Sequence, residues 1–263
     1  MTRTTILDLR DSPWVDGPGR TILDCASSLR DRGYDLVIGA FSGGGKKTSA
    51  YAEEAARRGL MVKTILERRA FDHRVVRRVV ELIDEVGADI VHTHDFRSNV
   101  FGLLAATIRR KPIVSTVHGW IANDVKGKLY VAADKTILRC FDHVITVSER
   151  TRALVERAWV SRRKLTVIPN ALTLDRYIPN RADDSFRREI GAPRDTLLVA
   201  NIGRLSPEKG QLEFLQAARV LVERGENIKF ILIGIGPDQA IWSNTSRNTS
   251  LRIRLCSPAF GRT

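Results

Sequence analysis

The stretch LLVANIGRLSPEKGQLEFLQAARVLVERGENIKFILIGIGP, from Leu197 to Pro237, combines two apolar segments with one helical segment between them. Leu197–Ile202 and Phe230–Ile233 are apolar runs of strand length, which are typical of parallel strands buried on both faces. Ser206 is placed to cap the helix, with a proline directly after it, and Gly225 is placed to end it. The stretch therefore predicts a strand–helix–strand unit of an α/β protein.

Two basic side chains lie at the start of this predicted helix. Arg204 comes just before the cap and Lys209 lies in the first turn, where the helix dipole already presents partial positive charge. These charges become favourable when an anion binds, because backbone N–H groups, a guanidinium and an ammonium then converge on phosphate oxygens. The alternative is that both side chains extend into water. The turn is thus either a phosphate site or an exposed basic turn.

The bulk composition bounds the kind of protein. With 263 residues, of which 43% are hydrophobic, the chain is long enough for one large or two small domains. Cys25, Cys140 and Cys256 form no metal-ligand spacing, so we expect free thiols in a reducing cytoplasm. The first residues do not resemble a signal peptide, and no apolar run reaches the roughly 18 residues of a membrane span. We therefore expect a cytoplasmic protein that meets membranes only at their surface.

The formal net charge of +13 is compatible with several partners. Nucleic-acid binding is one explanation, but base-stacking aromatic residues are missing beside arginine runs such as Arg162-Arg163-Lys164. Attraction to anionic lipid or to phosphorylated substrates fits as well, and so does a basic surface that only meets water. Charge alone leaves these alternatives open.

Strand and helix patterns alternate through most of the chain. Apolar runs such as Thr4–Leu9 and Asp35–Phe41 are followed by helical periods such as Phe71–Val86, which predicts a parallel sheet with right-handed crossovers. The segment SGGGKKTS after the second strand is not a P-loop, because Ala40 stands in place of the first glycine and Lys47 in place of Ser or Thr. We therefore reject an ATPase.

A glycine-containing segment, DSPWVDGPGRTI, follows the first predicted strand. Gly17 and Gly19 predict a tight loop before a helix that starts near Arg20. Ligands of doubly wound folds bind at such loops, beyond the carboxyl ends of the strands. The alternative is a turn that only needs unusual backbone angles.

Three histidines also lie at the ends of predicted strands. His92 and His94 alternate along one strand, and a metal pair is one interpretation, but no further ligand appears at a suitable spacing. We therefore favour a structural or site-edge role for them. His118 ends the next strand beside Gly119, where a ligand could hydrogen-bond to the imidazole. The alternative is a core histidine with its hydrogen bonds satisfied.

The string GRLSPEKG at Gly203–Gly210, with its helix and the strand ending in GIGP, resembles the start of the nucleotide-sugar domain of family 4 glycosyltransferases, which have a GT-B fold. DIVHTHD, STVHGW and KLTVIPNALTLDRY are similar to segments of the N-terminal domain of that family. The resemblance runs from Thr4 to about Asp238. It implies an α/β protein of GT-B type, with a complete N-terminal Rossmann-like parallel-sheet domain and an incomplete second Rossmann-like domain.

The resemblance also implies domain boundaries. We expect an N-terminal acceptor-side domain over 1–174, a linker over 175–195, the start of the nucleotide-sugar-binding domain over 196–239 and an aberrant tail over 240–263. The tail has four arginines, no acidic residue and no clear helix or strand period. It is either a disordered tail or the product of a frameshift near Gln239–Ile241, since synonymous codons read in another frame can encode an amphipathic helix and a strand. Sequencing the gene would decide between these explanations.

The activity implied by the resemblance is metal-independent, retaining transfer of a sugar, such as a hexose, from a nucleotide-sugar to an acceptor, impaired here by truncation. Arg204 and Lys209 would bind the donor diphosphate and stabilise it as the leaving group, together with the helix N-terminus at Ser206. STVHGW resembles the segment that places a histidine near the transferred sugar, which would be His118. Gly17 and Gly19 match by position the first glycine-rich loop of the family, although its GG pair is replaced by GPG. The remaining cleft residues implied are His94, Asn170 and Ser148.

The resemblance implies no metal and no cofactor other than the donor substrate. The acceptor would be a glycan, a lipid-linked sugar or a small molecule, and the protein would act in the cytoplasm at the inner face of the membrane, with peripheral membrane association and without nucleic acid. The alternative function is that of a non-catalytic basic protein that binds nucleic acid or an anionic lipid surface.

Overall fold

The computed structural model describes residues 3–42, 48–68, 72–120, 122, 124–171 and 184–242, except the side chain of residue 27, and the backbone of residues 253–256. The chain forms two compact units, Met1–Tyr177 and Ile178–Thr263. Each unit contains its own parallel sheet.

The first unit is a doubly wound α/β domain, which confirms the predicted fold class. Its strands are β1 (Thr4–Arg10), β2 (Tyr34–Ser42), β3 (Met61–Leu66), β4 (Ile90–Thr93), β5 (Ile113–Val117), β6 (His143–Thr146) and β7 (Leu165–Val167). They are parallel and ordered β3-β2-β1-β4-β5-β6-β7. The chain first extends the sheet to one side of β1 and then returns to build the other side from β4. The switch point between β1 and β4 is where open α/β sheets bind ligands.

Among the described residues, six α-helices cover the two faces of this sheet. They are α1 (Gly17–Asp31), α2 (Ala50–Arg57), α3 (Arg74–Val86), α4 (Phe96–Arg109), α5 (Val125–Ile137) and α6 (Glu149–Glu156). Alternate residues of β2 serve different faces: Leu36, Ile38 and Ala40 pack with α1 and α2, whereas Val37 and Phe41 join the core under α3 and α4. Because both faces are buried, the strands read as the continuous apolar runs noted in the sequence.

The second unit repeats the same design on a smaller scale. Its strands are β8 (Leu197–Ile202), β9 (Ile228–Ile233) and β10 (Ile253–Cys256), parallel in the order β10-β9-β8. Its helices are α7 (Ser185–Glu189) and α8 (Gln211–Glu223), with a 3₁₀ turn at Pro207–Lys209. Ile190 is buried against Ile231 of β9 with Phe186 beside it, so the described part of the predicted linker packs into this unit.

Three local predictions differ from the structure. Gly17 and Gly19 lie in the first turn of α1 rather than in a loop, because the Asp16 side chain caps the helix, and neither glycine has a positive φ. The long helix after Ser206 begins only at Gln211, since Gly210 adopts a left-handed φ of 69° after the 3₁₀ turn. Strand β10 lies in the tail, for which the sequence pattern predicts no strand, because an alternation of only four residues is too short to recognise.

Within the described ranges, no helix is both long and apolar enough to cross a bilayer.

Candidate functional site

Four residues form a hydrogen-bonded group at the switch point of the first sheet. Asp8 of β1 lies in register with His92 of β4, and His94 follows two residues later. Asp8 Oδ2 is 2.7 Å from His94 Nε2 and 3.3 Å from His92 Nδ1. His94 Nδ1 is in turn 3.2 Å from Nε2 of His118, which follows β5. We call Asp8, His92, His94 and His118 the histidine array.

The electrostatics of the array favour a negative Asp8 carboxylate and neutral side chains at His94 and His118. Burial alone would raise the pKa of Asp8, but the adjacent His94 and His92 together lower it by more than burial raises it. The pKa of Asp8 therefore lies well below its usual range. Burial lowers the pKa of His94 to about 4, although Asp8 acts in the opposite direction. Burial, with His94 and Arg10 nearby, lowers the pKa of His118 to about 3. At neutral pH these two imidazoles are therefore uncharged.

The position of Asp8 bears on the prediction that His92 and His94 do not form a metal site. The sequence showed no third ligand near His92 and His94, but the structure brings the Asp8 carboxylate within reach, and one ligand atom from each residue lies within 4.8 Å of the others. These three side chains could hold a metal ion. The 2.7 Å separation between His94 Nε2 and Asp8 Oδ2 is also an ordinary hydrogen-bond distance.

A cavity of about 250 Å³ adjoins the array. Its walls include His94, His118, Trp120, Tyr130 and Asp134. The Trp120 indole donates to Asp134 Oδ2 at 2.7 Å, and the carboxyl group is buried, which raises its pKa. The cavity thus combines aromatic faces with a few fixed polar groups, a combination typical of small-molecule sites.

The first turn of α1 is held by a buried arginine. Arg10, at the end of β1, donates from Nη2 to Asp16 Oδ1 at 2.5 Å, and the same oxygen accepts from the Gly19 backbone N–H at 2.9 Å. Asp16 therefore occupies the N–H of Gly19 in this structure. Gly17 and Gly19 are close to the end of β1, as predicted, but as part of a capped helix.

Asp95 ends the DIVHTHD string and caps α4. Its Oδ1 accepts from the Ser98 backbone N–H at 3.0 Å, and its Oδ2 accepts from the Asp11 backbone N–H at 2.8 Å. Burial, reinforced by the Asp11 carboxylate, raises the pKa of Asp95 to about 6. This carboxyl group lines the same cavity as His94 and His118.

The predicted phosphate residues lie together at the carboxyl end of β8. Arg204 Nη2 donates to Glu208 Oε1 at 2.5 Å, and its Nε donates to Ser206 Oγ at 3.2 Å. Lys209 is exposed, and no described residue hydrogen-bonds to its ammonium. Glu208, which the pattern of basic residues in the sequence did not reveal, neutralises Arg204.

The glycine turn after β9 presses against this cationic turn. The Gly203 N–H donates to the Ile233 carbonyl and the Leu205 N–H to the Ile235 carbonyl. A Cβ at Gly234 would lie 1.8 Å from the Gly203 carbonyl oxygen, so no side chain fits there. The GIGP string therefore allows the two strand ends to meet.

The other predicted cleft residues have separate positions. Ser148 caps α6, because its Oγ accepts from the Thr151 backbone N–H at 3.1 Å. Asn170 is exposed after β7. The structure brings His94 and His118 together in the first unit, and Arg204, Ser206 and Lys209 together in the second.

Comparisons with known proteins cover both units. The family model described as Glycosyltransferase Family 4 matches residues 15–176, which is more than half of the chain. The chain belongs to glycosyltransferase family 4. A second model, Glycosyl transferases group 1, matches residues 182–257 and so extends past Asp238, where the resemblance in the sequence ended.

Individual relatives of this glycosyltransferase are distant in sequence. It is 27% identical over 165 residues to the Escherichia coli UDP-Gal:alpha-D-GlcNAc-diphosphoundecaprenol alpha-1,3-galactosyltransferase, covering 59% of this chain and 43% of that protein. It is 24% identical over 217 residues to the capsular polysaccharide biosynthesis glycosyltransferase CapM of Staphylococcus aureus, covering 78% and 55%. The chain thus spans about half the length of these relatives.

Solved structures confirm the GT-B fold of the glycosyltransferase. Anabaena HepE in complex with UDP and glucose has a TM-score of 0.80 at 21% identity, and the match covers 97% of this chain and 69% of HepE. A glycosyltransferase from Rickettsia africae has a TM-score of 0.74 at 17% identity, covering 98% and 69%. At such identities the likeness is one of fold.

Proposed function

We propose that these residues belong to a retaining glycosyltransferase that moves a sugar from a nucleotide-sugar to an acceptor, with the donor diphosphate bound by the second unit. The observation that carries the proposal is the placement of Arg204, Lys209 and the backbone N–H groups at the start of α8 at one end of the second sheet. Because the chain spans about half the length of its relatives, the proposal concerns the enzyme to which these residues belong.

The chemistry follows from the charge that develops on the leaving group. Breaking the bond between sugar and diphosphate leaves negative charge on a phosphate oxygen, which the Arg204 guanidinium and the Lys209 ammonium would neutralise. These two cations would supply the charge that a metal ion supplies in other transferases, so the proposed reaction needs no metal. Arg204 would exchange Glu208 for phosphate oxygens when the donor binds.

The donor proposed for a first test is a uridine diphosphate sugar. HepE was solved with UDP-glucose, and the galactosyltransferase relative is named for UDP-Gal. These names support a nucleoside diphosphate sugar, and UDP is the natural first probe among the nucleoside diphosphates.

On the acceptor side we propose the cavity beside His94 and His118, for a glycan, a lipid-linked sugar or a small-molecule acceptor. Support comes from its aromatic and polar walls and from the relative named for a diphosphoundecaprenol substrate. We also propose cytoplasmic action at the inner face of the membrane, with contact through α5. On that helix Val125 is 74% exposed and Leu129 is 65% exposed, beside Lys126 and Lys128. Apolar and basic side chains together favour an anionic lipid surface.

The test measures stabilisation of the whole chain by UDP, ADP and GDP. A ligand that binds only the folded protein raises its melting temperature. We expect UDP to raise it, and Arg204→Ala or Lys209→Ala to abolish most of the rise. The matched control is Arg219→Ala, which removes another exposed, glutamate-paired arginine from the far part of α8. A rise that survives both substitutions, or no rise with any nucleotide, would refute the proposal.

A further inference from the structure

A fully buried glutamine begins the helix that follows the cationic turn. Gln211 is the first residue of α8 and is 1% exposed. Its Nε2 donates to the backbone carbonyl of Arg204 at 2.9 Å. A carbonyl oxygen can only accept, so the atom that faces it must be the amide nitrogen, which settles the orientation of the side chain. The helix thus begins with a donor directed at the backbone of the residue that carries the first cation.

Asn201, on β8, supplies a second amide of the same kind. Its Nδ2 donates to the backbone carbonyl of Lys209 at 3.4 Å, and its Oδ1 accepts from Gln211 Nε2 at 3.4 Å. These contacts are longer than the one between Gln211 and Arg204, which is therefore the strongest of the three. We call Asn201 and Gln211 the amide pair. Its hydrogen bonds end on the carbonyl groups of the two residues whose side chains are the cations of the turn.

The peptide group after Arg204 is held at both of its ends. Its carbonyl accepts from Gln211, and its N–H, which belongs to Leu205, donates to the Ile235 carbonyl at 3.1 Å. The Leu205 side chain is 0% exposed and lies in the core of the second unit. The backbone from which the Arg204 side chain projects is therefore fixed by the strand, by the helix and by the glycine turn after β9.

We propose that Gln211 is a positioning residue for the donor diphosphate, which fixes the backbone of Arg204, and that Asn201 does the same for Lys209. This rests on the proposed function, because it takes these two cations as the groups that bind the diphosphate. Each phosphate oxygen must lie within hydrogen-bond distance of its donor, so two side chains can share one diphosphate only if their backbones keep a fixed separation. The amide pair connects the two backbones.

A fixed backbone also explains how Arg204 can change partners. In this structure its guanidinium is paired with Glu208. When the backbone stays in place, exchanging Glu208 for a phosphate requires only rotation about side-chain bonds. A turn that had to become ordered on binding would lose conformational entropy, and that loss would lower the affinity. The amide pair therefore raises the affinity for the diphosphate without contacting it.

The alternative is that the amide pair only provides hydrogen bonds for two backbone carbonyls. Stability and affinity separate these roles. Gln211 Oε1 is buried and has no hydrogen-bond partner among the described residues, which is unfavourable. Gln211→Met keeps the length of the side chain but removes both this unpaired acceptor and the donor to Arg204. The two losses act on stability in opposite directions, so the melting temperature without nucleotide should change little, whereas positioning predicts weaker binding.

The experiment is isothermal titration calorimetry of the whole chain with UDP and with inorganic pyrophosphate. We expect Gln211→Met to weaken the binding of both by roughly three- to ten-fold, as for the loss of one hydrogen bond. Both ligands should respond, because pyrophosphate contains the phosphates without the nucleoside. In the Arg204→Ala background, measured at higher ligand concentration, Gln211→Met should cause no further loss, since it acts through Arg204.

The control is Gln216→Met, which makes the same substitution at an exposed position of α8 and should leave both affinities unchanged. Unchanged binding by Gln211→Met would overturn the proposal. An equal loss in the Arg204→Ala background would do so as well, because independent effects add. A loss for UDP alone would also overturn it, since the contact affected would then lie on the nucleoside.

Asn201→Ala tests the same proposal if Gln211→Met does not fold, because Asn201 is partly exposed and tolerates truncation more easily. It should weaken UDP binding, with no further loss in the Lys209→Ala background, and wild-type affinity would overturn the role of the amide pair. If neither UDP nor pyrophosphate binds the wild type, the donor assignment fails and the positioning role fails with it. If both bind the wild type and the variants equally, the positioning role fails alone.

Discussion

Glu208 sets how strongly an anion can bind at the turn after β8. The hydrogen bond from Arg204, followed by that from Ser206, lowers the pKa of Glu208 to about 2, so it is ionised at any working pH and competes with phosphate for Arg204. We predict that Glu208→Gln strengthens UDP binding by roughly two- to five-fold, as expected for the loss of one exposed ion pair. Isothermal titration calorimetry would measure this. The control is Glu223→Gln, which removes the similar ion pair with Arg219 and should leave the affinity for UDP unchanged. Weaker UDP binding by Glu208→Gln would contradict the prediction and mean that Glu208 stabilises the conformation of the turn.

Asp8 should affect the stability of the first unit in a pH-dependent way. Its folded pKa lies below its unfolded value, so its contribution is present above the unfolded pKa of about 4 and is lost as the pH falls towards the folded pKa. We predict that Asp8→Asn lowers the free energy of unfolding by roughly 1–3 kcal/mol at pH 7, from weakened hydrogen bonds to a charged group, and by less below pH ~4. Urea unfolding at several pH values would test this. Asp35→Asn, which removes an exposed pair with Arg3, is the control, and an equal loss at every pH would contradict the argument.

The residues of the candidate site were only partly predictable. His94, His118, Arg204 and Lys209 could be identified because each follows an apolar run, where a strand end places it. Asp8 could not, since a carboxylate inside a strand becomes meaningful only once β4 lies beside β1. One signal was available: Asp8 interrupts an apolar run whose strand was expected to be buried on both faces.

At the scale of elements, α5 exposes apolar side chains beside basic ones. Val125 and Leu129 are exposed four residues apart, with Lys126 and Lys128 beside them. We predict that Leu129→Asp reduces binding to vesicles that contain anionic lipid, because a carboxylate both opposes burial and repels the lipid charge. Co-sedimentation would measure it. The control is Leu212→Asp, which makes the same change at an exposed site of α8 and should bind the vesicles as the wild type does. Equal vesicle binding by the wild type and both variants would exclude α5 as the membrane contact.

Most elements were predictable because their ends carry chemical signals. The Ser49 side chain caps α2, and α3, which lies within the helical period Phe71–Val86, ends at Gly87, where that glycine has a φ of 62°. The first turn of α1 was missed because glycine and proline together usually indicate a loop. The Asp16 side chain accepts a hydrogen bond from the Gly19 backbone N–H and so stabilises a helix at this point. The residue propensities of glycine and proline do not include such a side-chain contact.

At the scale of the molecule, the two-sheet architecture followed from alternating strands and helices, but its last part did not. Residues 240–263 show no clear period, whereas β10 is defined by its ladder with β9, from Ile253 opposite Phe230 to Cys256 opposite Ile233. Pairing with a neighbour is information that a short segment does not contain. The frameshift explanation for this segment stays a prediction, and the gene sequence is its test.

The two units should respond separately to substitutions in their own cores. In the described residues the second unit has two small buried clusters, around Leu205 with Leu232 and around Ile231, whereas the first has a larger cluster under each of its two helical layers. A Cβ at Gly234 would meet the Gly203 carbonyl oxygen at 1.8 Å, and backbone cannot move aside cheaply. We therefore predict two transitions in scanning calorimetry, with Gly234→Ala lowering only the one at lower temperature and Asp8→Asn lowering only the other.

Gly203→Ala is the control for this experiment, because its added Cβ would meet only the Lys209 side chain, at 3.8 Å or more. It should leave both transitions in place. If Gly234→Ala and Asp8→Asn shifted one common transition, the units would unfold as a single cooperative body, and the stability of the donor-side turn would then depend on the buried Asp8. If UDP raises only the lower transition, the diphosphate is bound by the unit that contains Arg204 and Lys209, as the charge at the start of α8 requires.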